Sequence, residues 1–511
     1  MNDGKICISV CAETADELIE QIKRAEDLAD VIEIRFDCLS KSEFNVFDEN
    51  IMSSLYKKIL DANSKKTLLT TFRQKEQGGN NTITQEERDY FWNSGYEIGW
   101  ADCEEDIIED SFYWLWDERI CSYHDFNGVP ANLLEIYYRL KATEADIVKI
   151  AFQTSDITDT IPIWKLLQKA KSENKEIIPI AMGEAGKWTR ILGLAHGAFM
   201  TYAALDAGQE TAPGQVSAKD LIEVYRAKEL NEETEVYGIL GSNTNVSISP
   251  YIHNTAFQFH DLNSVFVPFQ VHDLDEFMRR MVKAETREVE LNFRGFSVTL
   301  PHKQSIIKHL DFLDDTAEKI GAVNTVKVVD GKLHGYNTDA QGFIEPLLNS
   351  YGDLQGAKVA VLGAGGAARA CVYALKNAGA EVTIFARDLA KAQSLAEDFK
   401  VGQQAFSSQN SEFSTFEDFD ILVNTTPLGM KGKAEGETPV SAEQLKGLQL
   451  VYDLVYIPFQ TSLMTQADLA EVPKIGGLAM LIAQAAGQQK IWTNLDAPVK
   501  EMSRAALRRL Q

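Results

Sequence analysis

The sequence of 511 residues predicts an α/β protein in two parts, a closed (β/α)₈ barrel and a second α/β unit behind it. Over the first ~225 residues, short apolar runs alternate with amphipathic stretches, which indicates eight strand-then-helix units. A charged segment at 226–235 reads as a linker, and the pattern restarts at 236–240. A glycine-rich turn follows the strand-like run at 359–362.

Eight strand-like runs define the predicted barrel. They are Ile6–Val10, Val31–Arg35, Thr67–Thr71, Glu97–Ala101, Arg119–Ser122, Asp146–Ala151, Ile177–Ala181 and Phe199–Tyr202. Helix-like segments between them include Ala15–Ala29, Ala131–Ala142 and Thr158–Lys171. The pattern alone leaves a doubly wound open sheet as the alternative, because both folds alternate strands with helices.

Composition and charge restrict the partners. At roughly 150 residues per domain, the chain holds two to four domains. Its net charge of −25 repels nucleic acid and anionic lipid, but it permits small anionic substrates held by a few basic side chains. No run reaches ~18 apolar residues, so we expect no membrane span. The first apolar run, 6–12, lacks a basic leader, so we see no targeting segment and expect a cytoplasmic protein.

The six cysteines, at 7, 11, 38, 103, 121 and 371, form no CxxC pair and have no histidine-rich partner segment. The sequence therefore predicts no metal site. Most of them lie in apolar runs, which is typical of buried thiols in a reducing cytoplasm.

The glycine-rich turn reads Val361-Leu-Gly363-Ala-Gly365-Gly366-Ala-Ala368-Arg369 and lies between a strand and a helix. This is the context of a dinucleotide-binding turn. Gly363 permits the tight turn, Gly365 lets the backbone approach a pyrophosphate, and the helix N-terminus stabilises its charge. A purely structural turn is the alternative reading.

The residues after the next strand indicate which dinucleotide is bound. The strand-like run Glu381–Phe385 ends at Ala386-Arg387-Asp388, so an arginine stands where an NAD site usually has an acid. Arg387, with Lys391 one turn later, suits the 2′-phosphate of NADP. Asp388 opposes a phosphate, and a solvated helix start is the other interpretation.

Several segments of residues 236–511 resemble shikimate dehydrogenase in order and spacing. They are Ser247-Ile-Ser249-Pro-Tyr-Ile-His-Asn254, Phe296-Ser-Val-Thr299-Leu-Pro-His-Lys303, Gly321-Ala-Val-Asn324-Thr, Tyr336-Asn-Thr-Asp339, Asn424-Thr-Thr-Pro-Leu-Gly-Met430, Asp453-Leu-Val-Tyr456 and Gly477-Leu-Ala-Met-Leu-Ile-Ala-Gln484-Ala. The resemblance implies a two-lobed unit with a Rossmann domain that binds NADP.

The resemblance also assigns roles. It implies that Lys303 and Asp339 are the catalytic pair, and a lysine paired with a carboxylate can supply a proton to a ketone oxygen. The implied substrate contacts are Ser247, Ser249, Thr299, Asn324, Tyr456 and Gln484. The implied cofactor contacts are Gly363, Ala364, Gly365, Gly366, Ala367, Arg387, Lys391, Asn424, Thr425, Leu454 and Gly477.

The first half resembles type I 3-dehydroquinate dehydratase. The motifs are Ser9, Ile32-Glu33-Ile34-Arg35-Phe-Asp37, Thr71-Phe-Arg73, Ser122-Tyr-His124-Asp-Phe126, Asp146-Ile-Val-Lys149-Ile-Ala151, Met182-Gly183, Thr189-Arg190-Ile191 and Thr211-Ala-Pro-Gly-Gln215. The resemblance implies that Lys149 forms a Schiff base and that His124 is the acid/base. It implies substrate contacts at Ser9, Glu33, Arg35, Arg73, Arg190, Thr211 and Gln215.

The residue types agree with this assignment. These side chains lie at or beyond the C-terminal ends of different strands, where barrel enzymes place their chemistry. Burial of Lys149 in an apolar strand favours the neutral, nucleophilic amine. Three arginines at one mouth indicate an anionic ligand. One departure is Gln77, which stands where many relatives have a glutamate before Gly-Gly.

We therefore predict a bifunctional enzyme that dehydrates 3-dehydroquinate to 3-dehydroshikimate and then reduces it to shikimate with NADPH. The expected domains are 1–228, 236–339 completed by helices in 478–511, and 340–477. One alternative is a quinate dehydrogenase, although Ser249 leaves less room for the extra hydroxyl. The other is an inactive metabolite sensor, although all four catalytic residues are present. The fusion motivates a further hypothesis, direct transfer of the intermediate, with matched enzyme amounts as its alternative.

Overall fold

The computed structural model describes residues 2–63, 65–96, 99–108, 116–406, 416–432 and 434–510. They form two compact units. The first comprises residues 1–236, 242–246 and 263–293, and the second comprises 237–241, 247–262 and 294–511. No helix in the described part of the chain is long and apolar enough to cross a membrane.

A parallel sheet of nine strands forms the core of the first unit. The strands are β1 (Lys5–Val10), β2 (Val31–Arg35), β3 (Thr67–Thr71), β4 (Trp100–Cys103), β5 (Arg119–Asp125), β6 (Ile147–Gln153), β7 (Ile177–Met182), β8 (Met200–Ala204) and β9 (Val216–Ser217). Their order is β7-β6-β5-β4-β3-β2-β1-β8-β9. The Phe199 N–H donates to the Ile177 carbonyl (2.9 Å) and joins β8 back to β7. The predicted barrel is confirmed. Residues 97 and 98 of the predicted fourth strand lie outside the described residues.

In the described part of this unit, seven helices alternate with the strands of the barrel. They are α1 (Ala15–Ala25), α2 (Glu49–Ala62), α3 (Gln85–Asn93), α4 (Glu105–Ile108), α5 (Leu133–Lys141), α6 (Ile161–Ser172) and α7 (Lys187–Leu192). The last part of the unit, residues 263–293, adds the strand β11 (Ser264–Gln270) and one further helix, α9 (Leu274–Phe277). Helix α1 begins where Thr14 accepts from the Glu17 N–H, and it buries Leu18 and Ile22 on one face.

The side chains inside the barrel follow the two-residue period of a strand. Its apolar interior includes Cys7, Val31, Leu69, Trp100, Ile120, Ile147, Ile178, Met200 and Tyr202. Two residues further along several of these strands, the inward positions turn polar, at Ser9, Glu33, Thr71, Asp102, Ser122 and Lys149. The barrel therefore has an apolar floor and a polar layer near the C-terminal ends of its strands.

One cysteine expectation is wrong. Cys11 and Cys38 form a disulfide, with Cα atoms 5.4 Å apart. The two residues follow the ends of the adjacent parallel strands β1 and β2, so the register brings them together, which sequence spacing does not reveal. Cys7, Cys103, Cys121 and Cys371 are free and buried, as expected.

The second unit contains two sheets. In the first, the strands lie in the order β10-β12-β14-β15-β13. They are β10 (Glu235–Gly241), β12 (Phe293–Val298), β13 (Phe312–Leu313), β14 (Thr325–Val329) and β15 (Lys332–Tyr336).

The second sheet has the order β18-β17-β16-β19-β20-β21, and all its pairs are parallel. The strands are β16 (Lys358–Leu362), β17 (Glu381–Ala386), β18 (Gly402–Ala405), β19 (Ile421–Asn424), β20 (Leu450–Asp453) and β21 (Lys474–Gly476). This is the 3-2-1-4-5-6 order of a Rossmann sheet, whose ligands bind where the strand order reverses, here between β16 and β19. The predicted Rossmann domain is confirmed.

The helices of the second unit complete its two layers. They are α8 (Ser249–Phe259), α10 (Asp315–Ile320), α11 (Asp339–Tyr351), α12 (Gly366–Asn377), α13 (Leu389–Phe399), α14 (Ala442–Leu445), α15 (Ser462–Leu469), α16 (Gly477–Thr493) and α17 (Val499–Leu510). The C-terminal helices α16 and α17 pack on α8 through an apolar cluster that includes Ile252, Ile482 and Met502.

Candidate active sites

All nine predicted site residues of the barrel line a single cavity at the C-terminal ends of its strands. They are Ser9, Glu33, Arg35, Arg73, His124, Lys149, Arg190, Thr211 and Gln215. The rest of the lining includes Gln77, Phe126, Met182 and Tyr202. The strand alternation brings these positions together from widely separated parts of the sequence.

Lys149 lies inside the ring of strands and is 5% exposed. Its Nζ donates to Asp102 Oδ2 at 2.7 Å and lies 4.0 Å from Glu33 Oε1. The same atom lies 4.0 Å from the centroid of the Tyr202 ring. The amine is thus held at the polar layer, shielded from bulk water, with carboxylates and an aromatic face around it.

Asp102 joins this amine to Arg73. Its Oδ1 lies 2.6 Å from Arg73 Nη2, while Arg73 Nη1 contacts Glu104 Oε1 at 3.1 Å. Burial would raise the pKa of Asp102, but the charges of Arg73 and Lys149 outweigh it and hold that pKa far below its usual range. Arg88 extends the chain of charges from Glu104 to Asp106. Asp102 is therefore an anion bound to two cations.

The other two arginines of the mouth differ in their partners. Arg35 forms a two-point contact with Asp37, at 2.8 and 2.7 Å, and donates to the Gly78 carbonyl. Arg190 is 2% exposed, and none of the described carboxylates pairs with it. Within the described part of the chain, only its Nη2 donates to a protein atom, the Pro213 carbonyl at 3.3 Å. Burial lowers the pKa of Arg190 to about 10. A buried guanidinium with free donors is suited to an anion entering the cavity.

His124 lies in the last residues of β5, two residues beyond the end of the predicted strand at Ser122. Burial, together with the charges of Arg73 and Lys149, holds the pKa of His124 well below its usual value, so the imidazole is neutral. Its Nδ1 has no hydrogen-bond partner among the described residues. The Gln77 Oε1 accepts from the backbone N–H of His124 at 2.9 Å and so positions the strand end.

Hydroxyl and amide groups complete the cavity wall. Ser9 Oγ donates to Glu33 Oε2 (2.5 Å), and Thr71 Oγ1 donates to Glu33 Oε1 (3.0 Å). On the opposite loop, the Gln215 amide donates to Thr211 Oγ1 at 3.0 Å. Glu33 is thus fixed by two hydroxyls, and Thr211 and Gln215 orient each other.

Sequence reasoning missed Asp102 and Tyr202. The predicted fourth strand ended at Ala101, two residues before β4 ends at Cys103, so the buried carboxylate was left out. A charged residue inside the run Trp100–Cys103 was the available signal, because buried charges are paired. Tyr202 lies in an apolar run like any aromatic residue of the core, so the sequence around it does not indicate a role in the site.

In the second unit, Lys303 and Asp339 form an ion pair. Lys303 Nζ lies 2.5 Å from Asp339 Oδ2, and the two side chains are 17% and 7% exposed. Asn324 Nδ2 donates to the other carboxylate oxygen at 2.7 Å and to Thr338 Oγ1 at 2.9 Å. The carboxylate is thereby fixed from two sides, by Lys303 and by Asn324.

The remaining predicted substrate contacts occupy two neighbourhoods. Gln484 lies on α16, and its Oε1 accepts from Asn324 Nδ2 at 3.4 Å. Ser247 and Ser249 lie at the start of α8, where the Ser249 N–H donates to Ser247 Oγ. Tyr456 packs against the cluster formed by α8 and α16. Thr299 is tied by its backbone N–H to the Leu240 carbonyl at the end of β10.

The glycine-rich turn forms an open cradle between β16 and α12. Gly363 has φ +110°, and a Cβ there would lie 2.5 Å from Thr425 Oγ1. At Gly365, a Cβ would meet nothing within 4 Å, so its backbone is open to a ligand. Ala364 and Ala367 flank these glycines with small side chains, and a Cβ on Gly366 would lie 3.9 Å from Lys303 Cδ. The turn thus fits a pyrophosphate and lies next to the ion pair.

The neighbouring strands supply the rest of the cradle. Thr425 Oγ1 donates to the Leu362 carbonyl at 2.7 Å. The Leu454 N–H donates to the Asn424 carbonyl, and a Cβ on Gly477 would lie 2.2 Å from the Leu454 carbonyl oxygen. Only glycine permits that approach. Asn424 at the end of β19, Leu454 just after β20 and Gly477 at the start of α16 therefore lie close together.

The end of β17 resolves the conflict over Asp388. Its carboxylate accepts from the Lys391 N–H at 3.1 Å and begins α13, and its other oxygen lies 3.5 Å from Lys391 Nζ. The charge of Asp388 is therefore directed at its own helix. Arg387 is exposed beside it.

Comparison with known proteins assigns both halves. The family model for type I 3-dehydroquinase matches residues 6–232. Models for the shikimate dehydrogenase substrate binding domain, for shikimate/quinate 5-dehydrogenase and for the shikimate 5'-dehydrogenase C-terminal domain match 239–326, 347–429 and 477–507. A chloroplastic bifunctional 3-dehydroquinate dehydratase/shikimate dehydrogenase of Arabidopsis thaliana is 34% identical over 97% of this chain and 83% of its own length. The chain belongs to this bifunctional family.

The dehydrogenase half of this family member also resembles proteins with that activity alone. A shikimate dehydrogenase (NADP(+)) of Caldanaerobacter subterraneus subsp. tengcongensis is 41% identical over 52% of this chain and 93% of its own length. A shikimate dehydrogenase solved in complex with NADP+ superposes with a TM-score of 0.50 at 35% identity, covering 55% of this chain and 98% of its own. The resemblance inferred from the motifs is confirmed for both halves.

Proposed function

We propose that the barrel dehydrates 3-dehydroquinate to 3-dehydroshikimate through a Schiff base on Lys149, and that the second unit reduces this product to shikimate with NADPH. The observation that carries the proposal is the Lys149 amine. It is buried within a ring of parallel strands, 2.7 Å from Asp102, in a cavity lined by three arginines. The corresponding domains are 1–228, 236–339 with helices from 478–511, and 340–477.

The dehydration begins with the amine. Lys149 Nζ, in its neutral form, forms a bond to the ketone carbon of the substrate. The ketone oxygen leaves as water, with one proton from the amine and one taken up from solvent, and the later hydrolysis returns the solvent proton. The product is an iminium cation, which the Asp102 carboxylate and the Tyr202 ring face stabilise. Arg190, with its unpaired donors, binds the substrate carboxylate, and Arg35 and Arg73 contribute positive charge at the same mouth.

His124 moves the protons. The iminium makes the neighbouring C–H acidic, and the neutral imidazole removes that proton to give an enamine. The protonated imidazole then gives its proton to the hydroxyl on the next carbon, which departs as water. A second water hydrolyses the iminium and frees the amine, so one water is lost overall. The low pKa of His124 suits a group that must start without a proton.

In the second unit, Lys303 holds the carbonyl oxygen of 3-dehydroshikimate and supplies the proton to it. Asp339, fixed by Asn324, orients the ammonium. Ser247 and Ser249 bind the substrate carboxylate, and the remaining contacts are Thr299, Asn324, Tyr456 and Gln484. NADPH, when bound, supplies the hydride.

The cofactor-binding residues fit NADPH. Gly363, Ala364, Gly365, Gly366 and Ala367 hold the pyrophosphate against α12, and Asn424, Thr425, Leu454 and Gly477 line the nicotinamide side. Arg387 binds the 2′-phosphate, with Lys391 nearby. We include small molecules as the partners. We also include a cytoplasmic location, which the four free cysteines favour and the Cys11–Cys38 disulfide opposes.

A second candidate for the dehydrogenase half is quinate oxidation, because the matching family model covers both substrates. Ser249 is 5% exposed and keeps a side chain where quinate would need room. The value of kcat/KM should therefore be higher for shikimate than for quinate.

A coupled assay tests the whole proposal. The full chain is given 3-dehydroquinate and NADPH, and in parallel 3-dehydroquinate and NADH, and shikimate is measured. The proposal predicts that the full chain forms shikimate, and that it consumes NADPH faster than NADH. Accumulation of 3-dehydroshikimate in the reaction with NADPH would contradict the second step, and unchanged 3-dehydroquinate would contradict the first.

A further inference from the structure

Tyr202 makes two separate contacts with the groups that hold the Schiff-base lysine. Its ring centroid lies 4.0 Å from Lys149 Nζ. Its hydroxyl donates a long hydrogen bond (3.4 Å) to Asp102 Oδ2, the oxygen that accepts from Lys149 at 2.7 Å. Tyr202 is 3% exposed and lines the cavity. The ring and the hydroxyl therefore act on the same amine from two directions.

We propose that Tyr202 is a positioning residue for the dehydration: its ring stabilises positive charge on Lys149 Nζ, and its hydroxyl replaces the ammonium as the donor to Asp102 when that amine turns to the substrate. The inference rests on the proposed function of the barrel. It assigns to Tyr202 a role beyond filling the apolar core to which its ring belongs.

The ring favours the cationic forms of the nitrogen. An aromatic face attracts a cation through its quadrupole, and the attraction is stronger where water is excluded. Both the resting ammonium and the iminium that follows condensation carry that positive charge. Loss of the ring would therefore make the ammonium easier to deprotonate and the iminium harder to form.

The hydroxyl acts in the opposite direction on the resting amine. Burial, and the charges of Glu33 and Asp102, keep the pKa of Tyr202 well above its usual value, so the hydroxyl retains its proton. By donating to Asp102 Oδ2, it shares the negative charge that holds the ammonium. Without it, Asp102 would bind the ammonium more firmly, and the neutral amine would be harder to reach.

Other charged and titratable groups also face this site, and the test leaves them unchanged. They are Cys7 on β1, Glu33 and Arg35 on β2, Arg73 after β3, Asp102 on β4 and His124 on β5. A shift produced by changing Tyr202 alone is therefore attributable to its ring or its hydroxyl.

The test compares Tyr202→Phe, which keeps the ring, with Tyr202→Leu, which removes it. In the full chain, kcat/KM for dehydration is measured against pH, and its fall on the acid side reports protonation of the attacking amine. We expect Tyr202→Phe to move this limb to higher pH, because only the hydroxyl is lost. Tyr202→Leu loses the hydroxyl and also the ring, whose effects oppose each other, so its limb should lie at lower pH than the limb of Tyr202→Phe. Each of these two differences should be on the order of half a pH unit, the size that one weak contact produces. Tyr202→Leu should also lower the yield of borohydride-trapped substrate.

Tyr137→Phe is the matched control. It removes another buried tyrosine hydroxyl, which donates to Glu173 (2.9 Å) on the outer helices, and it should leave the limb unchanged. A wild-type limb in Tyr202→Phe, or a limb of Tyr202→Leu at the same or higher pH than that of Tyr202→Phe, would overturn the inference. Wild-type protein that dehydrates the substrate but is never trapped would instead refute the Schiff base itself, and the inference with it. If Tyr202→Leu does not fold, the direction of the Tyr202→Phe shift decides.

Discussion

Replacing Arg190 by methionine should stabilise the empty barrel while impairing its activity. The guanidinium is buried and has one hydrogen bond to the protein, to the Pro213 carbonyl. Burial lowers the pKa of Arg190 from 12.5 to about 10, which corresponds to roughly 3 kcal/mol of unfavourable free energy for the charged form. Methionine removes this charge but also the hydrogen bond, worth about 1 kcal/mol. The free energy of unfolding should therefore rise by roughly 2 kcal/mol.

The same substitution should weaken substrate binding. Truncating one partner of a buried charge pair costs roughly 2–5 kcal/mol, so kcat/KM for dehydration should fall roughly 30- to 4,000-fold. Reduction of 3-dehydroshikimate by the second unit should be unchanged. Steady-state kinetics of the two reactions, measured separately in one preparation, give both values.

Stability is best read within the barrel itself, because a chain with several domains does not unfold in one step. Amide hydrogen exchange of peptides from β6 to β8 gives the local free energy of opening. Arg73→Met is the matched control: Arg73 pairs with Asp102 and Glu104, so its loss leaves buried carboxylates and should destabilise the barrel by roughly 3–5 kcal/mol. The reasoning is refuted if Arg190→Met destabilises the substrate-free barrel as Arg73→Met does, or if it leaves kcat/KM unchanged.

Three further predictions concern single groups. Asp339→Asn should lower kcat for reduction roughly 10²- to 10⁴-fold, because Lys303 loses the carboxylate that orients it. Dehydration should be unchanged, and equal loss of both activities would contradict this prediction. Because burial holds the pKa of His124 well below 6.5, its imidazole keeps the neutral form as the pH falls through 6.5, so kcat for dehydration should stay level there; a fall centred near 6.5 would contradict the assignment. Arg387→Ala should reduce the ratio of kcat/KM for NADPH to that for NADH roughly tenfold, and an unchanged ratio would remove Arg387 from the cofactor site.

The sequence predicted most strands because each is a short apolar run, and it predicted the site because barrel and Rossmann folds collect residues at strand ends. Lys149 illustrates this: two positions beyond the apolar Ile147 on the same face of β6, it had to point inward. Asp102 was missed because the predicted fourth run ended two residues before the strand does. The strand boundary, and not the chemistry of the residue, was the source of the error.

What the sequence could not supply depends on register and local geometry. The pairing of Cys11 with Cys38 requires β1 and β2 to lie side by side, a relation between residues 27 positions apart. The role of Asp388 at the start of α13 depends on which way one carboxylate turns. The contact of Tyr202 with Lys149 brings together β6 and β8 across the barrel interior, where sequence distance is uninformative.

Borohydride trapping on the full chain probes the covalent step most directly. Protein incubated with 3-dehydroquinate is reduced with borohydride, digested and analysed by mass spectrometry. The account predicts a permanent mass gain on the peptide that carries Lys149, and none in Lys149→Ala, which should lose dehydration while retaining reduction of 3-dehydroshikimate. Dehydration that proceeds without an adduct, or with an adduct on a different lysine, would contradict it.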